Sequence, residues 1–117
     1  VAVQANSVYS LQLRGIYNAP VAGGMRLQFA LPAGAALSNG MFLCGGTGSA
    51  TQHGANSSAT GLLTGISGIA ADAALDVRHR LVTSATPGNV TLQWAQDAAS
   101  GTTTLRSGSD LLLERVA

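Results

Sequence analysis

The chain has 117 residues, 46% of them hydrophobic but only 9% charged, with six arginines, five acids, no lysine and a net charge of +1. That length closes one domain, residues 1–117, around a single core. With scattered arginines, 4% aromatic residues and one cysteine, the chain offers no basic stripe or stacking platform for nucleic acid and no internal disulfide, and its short apolar runs fall well below the roughly 20 residues that span a bilayer.

Along the chain, Val8 to Tyr17 sets Tyr9, Leu11 and Leu13 on one face and Ser10, Gln12 and Arg14 on the other, the period of a half-buried strand. Gly15 suits a bulge near its end, and Asn18, Pro20, Gly23 and Gly24 mark a turn. Met25, Leu27, Phe29 and Leu31 alternate with Arg26, Gln28 and Ala30 in a second strand, stopped by Pro32 and Gly34. Gly40 to Cys44 reads as a short buried strand.

Between Gly45 and Gly68 the composition changes. The run GGTGSATQHGANSSATG (45–61) holds no large apolar residue and cannot offset its ordering entropy by burial, so it predicts an exposed, mobile loop. Gly45, Thr47, Gln52, His53 and Asn56 are its candidate binding residues. Leu62, Leu63, Ile66 and Ile69 recur at helical spacing, but glycines between them cost about 1 kcal/mol each in a helix, which favours a strand or irregular ribbon. Residues 69–77 (IAADAALDV) are a helical competitor to a loop entering a strand over Leu75 to Thr83, in which Leu75, Val77, His79 and Leu81 share a face. Ser84 to Asn89 is a turn.

Val90, Leu92 and Trp94 then alternate with Thr91, Gln93 and Ala95, a short strand fits Thr102 to Arg106, and Asp110 to Val116 forms the last strand, expected to lie paired inside a sheet. Seven or eight strands joined by turn chemistry make an all-β, compact antiparallel sandwich. Leu112 and Val116 put apolar groups on the second face of the last strand, which signals that both faces are covered. They are candidate interface residues with Trp94, which either anchors the core or sits near that contact. Leu112 as a lone surface leucine is the open alternative.

Chemistry is thinly supplied. A nucleophilic mechanism needs Cys44 or a serine beside His53 or His79 with a third orienting group. The five carboxylates, at 72, 76, 97, 110 and 114, show no ligand spacing, although a loop calcium on Asp97 or Asp110 stays open. The Gly-rich run lacks the lysine of a Walker loop. No catalytic, cofactor or metal residue is assigned, and an enzyme is not expected.

Three stretches carry a resemblance: TLQWAQ (91–96) followed by a Ser/Thr-rich spacer, L-x-x-GS-x-L (105–111) and a final RVA; Ala5-Asn6-Ser7-Val8-Tyr9; and MRLQFALPAGA (25–35) with its F-x-x-P-A-G corner. Together they resemble a small β-jelly-roll module of tailed-bacteriophage virion proteins, found in capsid decoration proteins and in head- or tail-fibre domains. Cys44 to Ala74 matches least. The resemblance implies a jelly-roll homotrimer, similar in outline to the complement and tumour-necrosis-factor globular heads, on the virion surface. Its partners would be copies of itself and the major capsid protein or a fibre shaft, its role reinforcement of the capsid or a fibre knob. Two alternatives are a tail-fibre tip whose loops Gly45 to Thr60 and Asp97 to Thr103 contact a host glycan or protein, and an esterase- or lyase-type enzyme.

Overall fold

In the computed structural model, which describes residues 1–46 and 51–117, the alternating segments become strands, and no helix forms among the described residues. In chain order the first six are β1 (Ala2–Val3), β2 (Val8–Asn18), β3 (Met25–Ala30), β4 (Ala36–Gly45), β5 (Gln52–Asn56) and β6 (Leu63–Ile66). There follow β7 (Asp72–Val82), β8 (Gly88–Asn89), β9 (Thr91–Ala95), β10 (Thr104–Leu105) and β11 (Asp110–Arg115). Among the described residues no helix is long and apolar enough to cross a membrane.

The alternation around Leu11 and Val77 explains the centre of the molecule. β2 and β7, 11 residues each, pair antiparallel over their whole length, from Val8↔Val82 to Asn18↔Asp72. Leu11 and Leu13 therefore stand beside His79 and Val77, all buried on one face. β4 joins the far side of β7 and β5 joins β4, while β10 and β11 lie in succession along β2. A smaller antiparallel sheet, ordered β6–β3–β9, supplies Met25, Leu27, Phe29, Leu63 and Ile66 to the same core cluster. Each such buried side chain contributes about 1.5–3 kcal/mol relative to exposure. β1 pairs with β8, which runs through Val90 into β9.

Buried polar groups hold the ends of the sheets. Thr83 Oγ1 accepts from Ser7 N at 2.8 Å and donates to Gln4 O at 2.7 Å, tying the turn after β1 to the end of β7. Thr103 Oγ1 donates to Gly24 O at 2.8 Å.

Three sequence expectations are corrected. The run 45–61 is not one loop: β5 lies inside it, because pairing Gly40–Cys44 with Gln52–Asn56 satisfies an edge strand through its backbone without large side chains, whereas β6 falls where the sequence favours a strand over a helix. The strand expected from Leu75 forms, without the helical competitor at 69–77, but starts earlier, at Asp72, since pairing with β2 continues to that end. The last strand is not mid-sheet, for β11 pairs with β2 alone among the described residues and forms an edge.

Candidate functional site

The outer faces of the two sheets differ in charge. On the large sheet, β2 presents Arg14, β7 presents Asp72, Asp76, Arg78 and Arg80, and β11 presents Asp110 and Glu114. These are seven of the eleven charged side chains, six arginines and five acids, in the chain. Opposite charges lie side by side: Arg14 meets its register partner Asp110 at 3.2 Å, Arg78 meets Asp76 two residues back on β7 at 3.2 Å, and Arg106, just after β10, reaches Asp72 at 2.9 Å. The Asp76 carboxyl is held below its usual range first by the Arg78 hydrogen bond, with Gln12 assisting against the opposing effect of burial. Hydrogen bonds from Asn18 and then Arg106 do the same for Asp72. Most of this solvated face is paired within the chain, Arg80 and Glu114 being the exceptions among the described residues.

The small sheet's outer face is almost neutral. Arg26 and Gln28 on β3, Thr64 on β6, and Gln93 and Ala95 on β9 surround a shallow depression of about 420 Å³, bordered by Leu62 and Trp94. Gln28 Nε2 donates to Gln93 Oε1 at 3.0 Å across the strand pair. Arg26 stands opposite Ala95, and continuing that register brings Asp97 opposite Gly24. A Cβ placed on Gly24 would lie 3.7 Å from the Asp97 Cβ. Asp97 thus shares the face with Arg26 one diagonal step away, yet among the described residues neither forms a hydrogen bond or ion pair.

The candidate interface residues Trp94, Leu112 and Val116 are exposed by 41%, 46% and 60%. They are not gathered into one patch. Leu112 stands beside Gln12 on the large sheet's outer face, and Val116 follows the end of β11, its amide bonded to Val8 O at 2.8 Å. Trp94 pairs with Leu27 in register, so its side chain lies on Leu27's side of the sheet and not with Gln28 and Gln93, but on the outermost strand that side is left partly open and Trp94 does not anchor the core.

The candidate binding loop is largely committed to the fold. Gly45 ends β4 and is half-buried, and Thr47 lies outside the described residues. Gln52 clamps the link after β6, its Oε1 accepting from Ser67 N at 2.7 Å and its Nε2 donating to Gly65 O at 3.2 Å. Asn56 is buried, its Oδ1 accepting from Ser58 N at 3.0 Å. His53 alone of the four described candidates is both exposed and without a structural bond of this kind, facing outward beside Leu43.

Cys44, His53 and His79 do not converge. Cys44 pairs with Gln52, so its side chain and that of the adjacent His53 point to opposite faces of β5 and β4. Cys44 also pairs with Leu75, and His79 lies four residues further along β7, about 13 Å at the usual strand rise. The Cys44 thiol is buried and its pKa pushed up by that burial. Desolvation, with the nearby Cys44 adding, pushes Tyr17 up to about 12, and its hydroxyl donates to Ser67 O at 2.8 Å. Among the described residues no group of three or more His, Cys, Asp or Glu side chains could hold a metal ion. Compared with known proteins, the chain matches no family model, no curated protein and no solved structure.

Sequence reasoning missed the Arg26 and Asp97 pairing of positions. Alternation alone sends Arg26 outward, but only the β3–β9 register places Asp97 on the same face.

Proposed function

We propose that this chain is an assembly module that associates with copies of itself through the small sheet's outer face, as a homotrimer. The observation that carries the reading is the segregation of charge: one outer face holds seven charged groups, joined by Arg106 in the three ion pairs described above, whereas the other holds Gln28, Gln93, Thr64 and Leu62 around a depression, with Trp94 at the sheet's edge. Neutral, partly apolar surface bordered by a half-exposed tryptophan at the sheet's edge fits interface cores, from which charge is depleted and in which aromatic residues are enriched. The chain's path supports a jelly roll: it passes from the large sheet (β2) to the small (β3), back (β4, β5), across (β6), back (β7), across (β9, after β8 pairs with β1) and back (β10, β11).

The virion setting rests on the sequence resemblance. Under it, the trimer decorates and reinforces a capsid or caps a fibre, with the charged sheet turned to solvent or to the major capsid protein or shaft. The tip-domain alternative is the poorer fit to the loop chemistry, because Gln52 and Asn56 spend their side chains on the fold. Light scattering on the purified chain tests the assembly: a mass of three chains is expected, and a single-chain mass at high concentration overturns it. Electron microscopy of particles carrying the protein then distinguishes shell from fibre.

A further inference from the structure

We infer that Arg26 of one copy pairs with Asp97 of the next across the self-association surface, so that each interface pairs the two charges that the described residues place on the small sheet's outer face. The inference rests on the assembly reading above and deepens it. Arg26 is exposed on β3 and Asp97 is exposed just beyond β9. They carry opposite charge, belong to the same face, and make no hydrogen bond or ion pair within the chain among the described residues. The other polar side chains of that face are not waiting for a partner in the same way, for Gln28 and Gln93 already satisfy each other at 3.0 Å.

Burying a face that held an unpaired guanidinium and an unpaired carboxylate would be opposed by desolvation. Two complementary charges offset from the centre of the depression remove that opposition when a second copy brings Asp97 to Arg26. The planar guanidinium fork suits a carboxylate, and a pair fixed at one place on the rim sets the rotational register of one copy on the next. Leu62 borders the same depression and supplies exposed apolar surface beside it.

The test is a charge reversal read by light scattering and sedimentation on the full chain. Arg26→Asp and Asp97→Arg alone should each weaken association about tenfold or more, and the double reversal should restore it. Circular dichroism confirms that each variant folds, and a salt series on the unaltered chain, whose association should weaken as salt rises, gives a readout that needs no variant. An unaltered chain that stays single overturns the assembly reading and the pair with it. A trimer indifferent to both single reversals and to salt overturns the pair while leaving assembly standing, and so does a double reversal that fails to recover.

Discussion

His79 is the residue whose environment makes the sharpest demand on conditions. It is 4% exposed, and neither ring nitrogen has a protein partner. Phe29 meets it edge-on with ring centres 6.1 Å apart. Two glycines make its seat: a Cβ on Gly40 would approach His79 Cε1 to 2.5 Å, and one on Gly61 would approach Nε2 to 3.1 Å. Leu11 flanks it in register, and none of these neighbours carries a charge to balance an imidazolium. Burial therefore lowers its pKa below the usual histidine value. The folded state binds fewer protons here than the unfolded chain, so this contribution to stability is complete above about pH 6.5 and declines as pH falls from there towards the depressed folded value. Asp72 and Asp76 shift downward and contribute above about pH 4, losing their share only at lower pH. Melting temperature should thus fall between about pH 6.5 and 4.5 in the natural chain. His79→Leu should remove most of that slope and stay within about 1 kcal/mol of the natural stability at neutral pH, since it also removes two unpartnered nitrogens. An unchanged slope in the variant would assign the acid sensitivity elsewhere.

At the scale of the element, β4 shows how an irregular strand serves its neighbours. Its pairing with β7 shifts register between Ser38 and Met41, with Asn39 at φ 50°. The shift lays Gly40 flat against His79 and the Asn56 carbonyl. Gly40→Ala should destabilise the chain by about 2–3 kcal/mol in denaturant titration, because the added methyl meets backbone on one side and a packed ring on the other. A loss within error would mean that β4 can move away at little cost. β2, β3 and β7 were legible in the sequence because one buried face imposes period-2 alternation, as Leu11–Leu13, Leu27–Phe29 and Leu75–Val77 show. β5 was not, since an edge strand held by backbone bonds can consist of Gln52, His53, Gly54, Ala55 and Asn56 with no apolar signature. The beginning of β7 was obscured by helix-forming alanines at 70, 71, 73 and 74, whose local preference yields to an 11-residue partner in β2. Trp94 illustrates a different limit. Alternation assigns its side of the strand, but whether that side is covered depends on how many strands the sheet has beyond it, which local pattern does not encode.

At the scale of the whole molecule, Trp94 separates folding from assembly. With 41% exposure on an outer strand, it should contribute little to the isolated sandwich, so Trp94→Ala should cost about 1 kcal/mol of monomer stability, well short of the roughly 3–5 kcal/mol for a fully buried aromatic. Its larger effect belongs to the contact between copies. If folded chains associate in threes and unfolded chains do not, mass action stabilises each protomer by two-thirds of RT ln 10, about 0.9 kcal/mol, per tenfold rise in concentration. For a domain of this size that moves the melting midpoint by roughly 3–5 °C per decade. The natural chain should therefore melt higher at about 100 µM than at about 1 µM, whereas Trp94→Ala should trail it at the dilute end only by its monomer cost and fall further behind at the concentrated end. Midpoints that coincide at every concentration for the natural chain would remove self-association as the use of the neutral sheet. A uniform offset of Trp94→Ala at all concentrations would instead place the tryptophan's contribution in the fold, because a term that does not scale with concentration cannot come from a contact between chains.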